Sequence, residues 1–257
     1  MSFLSAVRFL TVFRIPFLRG ETAEDAGRST VWFPGAGFII GLILAGLNWL
    51  FALFLPAAVS NGLTIVALVI ITGAMHLDGL ADTCDGLAGN KPAEERWKVM
   101  HDSSTGAFGV TGIVLLLLMK FIFLNSIPQA LAPQALIVMA VTGRWAMSWA
   151  ITVFPYAHSE GLGKAFKQAA SRGRLVASTV MTLVIVTLVA WWAGLGYYYV
   201  AGIAVTAIIW LFVTIAATYF RHKFAGLTGD TYGAINELTE TVTLLVVSIA
   251  AFNGWAV

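Results

Sequence analysis

The sequence predicts an all-α fold: a polytopic integral membrane helical bundle with about seven transmembrane helices and an N-terminal interfacial helix. Three observations carry this expectation. Hydrophobic residues make up 59% of the chain and charged residues 11%, against about 45–50% and about 25% in soluble globular proteins. Apolar runs approaching the ~20 residues needed to cross a hydrocarbon core recur along the whole chain. The cations that remain fall almost entirely between alternate runs, as they do in membrane proteins with one positively charged side.

Taken in order, residues 1–17 are apolar with Arg8 and Arg14, too short to span and interrupted by Pro16. They lack a small-residue cleavage site, so they read as a helix lying in the interface rather than a signal peptide. Residues 18–31 are polar. Predicted spans follow at 33–55, 62–76, 108–127, 133–154, 175–194, 197–219 and 237–256. The second is short, so it either continues into the acidic helix after it or packs inside the bundle. Trp49, Trp191 and Trp192 read as interfacial anchors. With the N-terminus placed in the cytoplasm, the cytoplasmic segments hold 13 of the 15 Lys and Arg. The opposite loops, near 56–61, 128–132 and 195–196, hold none. Lys120 and Arg144 fall inside spans, where a charge is costly and faces a cavity or a partner. Lys120 reads as structural; Arg144 is open between a substrate contact and a structural pair. The whole of 1–257 reads as a single membrane-embedded catalytic domain.

Several classes are excluded or disfavoured. A single cysteine, Cys84, precludes an intrachain disulfide, and no Cys/His cluster offers a zinc site. No basic patch with interleaved aromatics suggests nucleic acid. A transporter would need charge near mid-membrane, where only Arg144 lies.

The informative stretch is His76-Leu-Asp78-Gly-Leu-Ala-Asp82-Thr-Cys-Asp85-Gly86, followed by Met100-His101-Asp102-Ser-Ser-Thr-Gly106-Ala-Phe-Gly109. Asp78, Asp82 and Asp85 are four and three apart, which places all three on one helical face. Three anions in one stripe call for a cation. Mg²⁺ suits them, because it prefers oxygen ligands and pairs a few carboxylates with substrate phosphates. Asp102 is a fourth expected ligand. Two later segments on the same side add polar groups. One carries His158-Ser-Glu160-Gly-Leu-Gly163-Lys164 and Arg172. The other, Gly226-Leu-Thr-Gly229-Asp230-Thr-Tyr-Gly233-Ala-Ile-Asn236-Glu237, is glycine-rich and runs into Glu240 on the last span. Asn236 and Glu240 share a helical face, and Asn236 or Asp230 reads equally as a helix cap. Acidic and basic groups on one side suit a metal-bound phosphate ester.

These blocks closely resemble the signature of the cobalamin synthase family, also called adenosylcobinamide-GDP ribazoletransferase. The resemblance runs nearly end to end, through His76–Gly86, Met100–Gly109, Glu160–Gly163 and Thr228–Glu237, with Phe33-Pro34-Gly-Ala-Gly37 at an early turn. It implies a Mg²⁺-using enzyme of the bacterial inner membrane, its site facing the cytoplasm. The implied reaction condenses adenosylcobinamide-GDP with α-ribazole or its 5′-phosphate and releases GMP. Homo-oligomers or complexes with other cobalamin-assembly enzymes are compatible with it.

On that basis Asp78, Asp82, Asp85 and Asp102 are the expected metal ligands, with Asp82, or alternatively His76, taking the proton from the ribazole 5′-hydroxyl. Lys98, Ser103, Gly106, Lys164, Arg172, Asp230, Asn236, Glu237 and Glu240 are the expected substrate-binding residues. The family often carries basic residues around the second-block Asp, where this chain has His101 and Ser104, so Lys98, Lys164 or Arg172 must supply that charge. An Asp-rich CDP-alcohol phosphotransferase or polyprenyl transferase would share the metal logic. The CDP-alcohol pattern has Ala-Arg after its first Asp-Gly, where Leu80-Ala81 stands here.

Overall fold

A computed structural model describes residues 2–14, 22–102, 104–158 and 160–255. The fold is 80% helical, with no strand among the described residues. Among the described residues twelve α-helices follow one another: α1 Ser2–Leu10, α2 Ala23–Arg28, α3 Phe33–Ala52, α4 Ala57–Thr72, α5 Met75–Leu87, α6 Ala93–Met100, α7 Ala107–Asn125, α8 Ala132–Val153, α9 Leu162–Ala169, α10 Arg172–Trp192, α11 Tyr198–Phe224 and α12 Gly229–Phe252. Six of the helical segments are long and apolar enough to cross a membrane, and α4 with α5 makes a seventh if that bent pair counts as one span.

Helix α8 is the axis of the bundle. It is buried nearly throughout, from Ala132 to Ile151, and α3, α10, α11 and α12 all pack on it. The outer helices turn apolar side chains outward instead. On α10, Val176, Val180, Val184 and Leu188 are exposed at four-residue intervals, one continuous stripe suited to lipid.

The short second span resolves into a sharp bend. α4 stops at Gly73, whose left-handed backbone (φ 62°) only glycine adopts without strain. Gly73 N–H donates to Ile70 O and Ala74 N–H to Val69 O, a pattern that satisfies the last carbonyls of a helix. α5 then leaves at 90° to α4, so the acidic stretch lies across the end of the bundle.

The last helix starts earlier than the span expected at 237–256. α12 begins at Gly229, capped by Thr228: its hydroxyl accepts Thr231 N–H, and the Thr231 hydroxyl accepts Thr228 N–H. This reciprocal cap lets a glycine-bearing stretch start a helix. The capping role considered for Asn236 or Asp230 therefore belongs to Thr228, and Asp230, Asn236, Glu237 and Glu240 all stand on one helix.

Candidate active site

Helix α5 packs along α12, and small residues set how closely. A Cβ on Gly79 would lie 2.8 Å from Asp230 O and 2.9 Å from Asp230 Cα. Only glycine permits this approach, which brings Asp230 of α12 beside the carboxylates of α5. Asp82 interacts electrostatically with Asp230, Asp78 and Asp85, and Asp230 also with Asp78. Asp78 is exposed; Asp82 and Asp230 are half-buried. Among the described residues no ion pair neutralises any of these three.

The fourth carboxylate of the group has another task. Asp85 Oδ2 accepts Gly106 N–H at 2.7 Å, and Oδ1 accepts Gly109 N–H at 2.9 Å. Both N–H groups belong to the start of α7, where backbone donors have no partner within the helix. Asp85 is thus a cap supplied from a neighbouring helix, in place of the expected free metal ligand. Gly106 serves it through its backbone, in place of the expected substrate contact. Asp102 is also set apart: it is exposed and accepts the N–H and hydroxyl of Ser104, which hold its carboxyl below the usual range. Nothing places it against Asp82.

Glu237 and Glu240, expected at the substrate, are buried inside the bundle instead. Lys120 Nζ donates to Glu237 Oε2 at 2.6 Å and also to Glu240, and Arg144 bonds Glu240. Asn236 Nδ2 donates to Glu240 Oε1 at 3.2 Å. Two cations face two anions, which answers the cost of each intramembrane charge. Arg144 is therefore a structural pair. His76, two residues before Asp78, turns inward: it is buried, in the field of Arg144, Glu240 and Lys120, with neither ring nitrogen hydrogen-bonded. His76 therefore lies inside the bundle, apart from the exposed Asp78.

Among the other expected residues, Lys98 on α6 and Arg172 at the start of α10 are exposed, and Lys164 on α9 is half-buried. Among the described residues, neither Lys98 nor Arg172 forms an ion pair with the carboxylate group. Ser103 lies outside the described residues.

The structure adds groups that sequence reasoning left unassigned. Arg96, counted only as a cytoplasmic charge, is buried and donates to Gly86 O, Gly89 O and Lys91 O, closing the end of α5. Leu227 N–H donates to Pro155 O and Ala157 N–H to Leu227 O, both at 2.8 Å, so the segment after α8 is tied to the start of α12. This brings Tyr156 and His158 to Asp230. Burial and neighbouring His101 hold the His158 ring below the usual histidine range. No local signal in the sequence announces that pairing.

Among the described residues no three His, Cys, Asp or Glu side chains converge as a ready-made ligand set. Mg²⁺ does not require one, since it keeps waters and combines one or two carboxylates with substrate phosphates. Asp82 with Asp78 or Asp230, held in no ion pair among the described residues, fits that use.

The protein-family model described as cobalamin-5-phosphate synthase matches residues 2–248. A relative named adenosylcobinamide-GDP ribazoletransferase from Geotalea daltonii is 36% identical over 249 residues, covering 97% of this chain and 96% of its own. Relatives of the same name from Roseiflexus sp. (33%, covering 96% and 88%) and Syntrophobacter fumaroxidans (36%, covering 94% and 96%) are similar over comparable lengths. No solved structure matches. By the extent of that family match and these identities, the chain belongs to the cobalamin-5-phosphate synthase family.

Proposed function

We propose that this chain joins adenosylcobinamide-GDP to α-ribazole or α-ribazole 5′-phosphate, releasing GMP, as a Mg²⁺-dependent phosphoryl-type transfer. The observation that carries the chemistry is that Asp78 and Asp82 of α5 and Asp230 of α12 lie within electrostatic reach of one another, with no Lys or Arg paired to them among the described residues. Bound Mg²⁺, held by Asp82 with Asp78 or Asp230, would neutralise the diphosphate and the charge on departing GMP.

The chain's own residues supply position and proton transfer. α5, closed by Arg96 and joined to α7 through Asp85, holds Asp78 and Asp82 in a fixed register. Asp82 accepts the proton of the attacking ribazole hydroxyl; that oxygen bonds to the phosphorus nearer cobinamide, and the bond to the GMP oxygen breaks. The attacking group is not the 5′-hydroxyl expected at first, because that oxygen is already esterified in the 5′-phosphate. Another ribose hydroxyl must react.

The carboxylate end faces the cytoplasm of a bacterial inner membrane, since the Lys and Arg outside the spans cluster at that end. The test is turnover by detergent- or nanodisc-embedded protein given adenosylcobinamide-GDP and α-ribazole, with Mg²⁺ or with chelator. Coupled, metal-dependent appearance of GMP and cobalamin is expected. Neither product from well-folded protein would overturn the reading.

A further inference from the structure

Beside the carboxylates stands a cluster of rings that the reading above leaves without a task. His158 is at its centre. Its ring centroid lies 4.8 Å from Trp97, 5.7 Å from His101 and 5.9 Å from Tyr156, with interplanar angles of 60°, 80° and 76°. Tyr156 in turn stacks on Tyr232 of α12, at 6.3 Å and 22°.

The rings are held from behind. Trp97 Nε1–H donates to Phe224 O at 3.1 Å, and His101 Nδ1 lies 2.6 Å from Trp97 O. The Pro155–Ala157 strand-like tie to Leu227 fixes the segment bearing Tyr156 and His158. A Cβ on Gly163 would meet the Tyr156 ring at 2.6 Å or less, so the second glycine of Glu160-Gly-Leu-Gly163 lets α9 back directly onto that ring.

Three features set the cluster apart from ordinary core packing. It stands at an open edge, with Trp97, Tyr156 and His158 half-buried and His101 exposed. It is electrostatically joined to the reactive carboxylates, Asp230 with His101, His158 and Tyr156, and Asp82 with His101. Its central ring keeps an unused polar atom, for His158 Nε2 is occluded and has no hydrogen-bond partner. Flat rings at an open edge, beside the carboxylates proposed to act at the phosphate, suit a nitrogen heterocycle carried on a ribose.

We propose that Trp97, His101, Tyr156 and His158 form a subsite that stacks the heteroaromatic base of a nucleoside substrate. The inference rests on the function proposed above, in which both substrates carry such a base: guanine in one and benzimidazole in the other. Subsite and carboxylates then divide the work, the rings gripping the base while Asp78, Asp82 and Asp230 act at the phosphate.

The test measures binding of GMP and of α-ribazole to the detergent-embedded protein by calorimetry, and KM for each substrate during turnover. It compares wild type with Trp97→Leu, His158→Ala and His158→Phe. Stacking on one aromatic residue accounts for roughly a tenfold or greater change in affinity. Trp97→Leu and His158→Ala should therefore weaken one ligand about tenfold and raise its KM far more than they change kcat. His158→Phe, which keeps the ring, should recover most of the loss. An effect confined to GMP assigns the subsite to guanine; one confined to α-ribazole assigns it to benzimidazole. Unchanged binding and KM in variants that unfold at the wild-type temperature overturn the subsite while leaving the proposed reaction standing. So does an equal rise in both KM values with a fall in kcat, which reports general damage. Absence of wild-type turnover strikes the reaction itself, and binding of neither ligand by that protein removes the subsite as well.

Discussion

The carboxylate of Asp85 accepts the backbone N–H of Gly109 at 2.9 Å, and through it the acidic helix α5 is joined to the first turn of α7. A Cβ on Gly109 would come 2.5 Å from Asp85 Oδ2, so the pair works as a unit: an anion at a helix N-terminus, and a glycine that lets it in. Two aspartates in one motif thus have opposite needs. Asp85 is engaged by the scaffold, while Asp82 is the carboxylate the proposed reaction uses. Asp85→Asn replaces one acceptor by a donor facing a donor, at a cost of about 1–3 kcal/mol. Thermal unfolding in detergent should show a clear drop for Asp85→Asn, with turnover reduced in proportion to folded protein. A wild-type unfolding temperature for that variant would contradict the capping role.

Asp82→Asn, Asp78→Asn and Asp230→Asn should behave in the reverse manner. Each removes one of three mutually repelling charges, so the metal-free protein should be as stable as wild type or slightly more so. Turnover should fall at least a hundredfold for Asp82→Asn. A readout besides activity is the rise in unfolding temperature on adding Mg²⁺, which follows from binding to the native state only; the stabilisation behind it is about 2.7 kcal/mol at a hundredfold excess over Kd. Wild type should show this rise and Asp82→Asn should lose it. Retention of the full Mg²⁺ effect in Asp82→Asn would remove Asp82 from the metal site.

The buried ions make a prediction about stability alone. Lys120→Met leaves Glu237 without its cation inside the bundle, a loss of about 3–5 kcal/mol for a broken buried pair. Lys120→Met with Glu237→Gln removes one charge of each sign and should recover at least half of that. Equilibrium unfolding of the two variants checks it. If the double variant is as unstable as the single, the loss comes from packing rather than from the unpaired charge.

Much of this was legible before the structure, and the exceptions share one cause. The Asp78–Asp82–Asp85 stripe is a local pattern, so spacing alone placed it on a helix. The intramembrane cost of Lys120 and Arg144 was equally plain, but their partners lie 117 residues from Lys120 and 96 from Arg144, beyond any periodicity. Asp230 joins Asp82 only because Gly79 lets two helices meet, and Asp85 is withdrawn only because α7 starts beside it. The last helix begins at Gly229 rather than 237 because the reciprocal Thr228–Thr231 cap outweighs the low helix propensity of glycine.

Orientation is testable without substrate. In a Cys84→Ser background, a cysteine in place of exposed Lys91 lies at the carboxylate end, and one in place of Phe54 lies between α3 and α4 at the other. A membrane-impermeant maleimide should label the Lys91→Cys protein in inverted inner-membrane vesicles and the Phe54→Cys protein in intact spheroplasts. The opposite labelling pattern would place the site outside the cytoplasm.

Arg96 offers the sharpest separation of geometry from charge. Its guanidinium donates to Gly86 O at 2.7 Å, Lys91 O at 2.8 Å and Gly89 O at 3.1 Å, collecting carbonyls where α5 ends and its own ladder stops. A lysine carries the same charge but not the planar fork, so it cannot reach three carbonyls spread over six residues. Arg96→Lys should therefore loosen the end of α5, only four residues beyond Asp82. Amide exchange across 86–91 should quicken, the Mg²⁺ concentration for half-maximal turnover should rise several-fold, and the unfolding temperature should fall. If charge alone were needed at this position, Arg96→Lys would exchange at the wild-type rate and keep its metal dependence, and the clamp would have no part in holding the site.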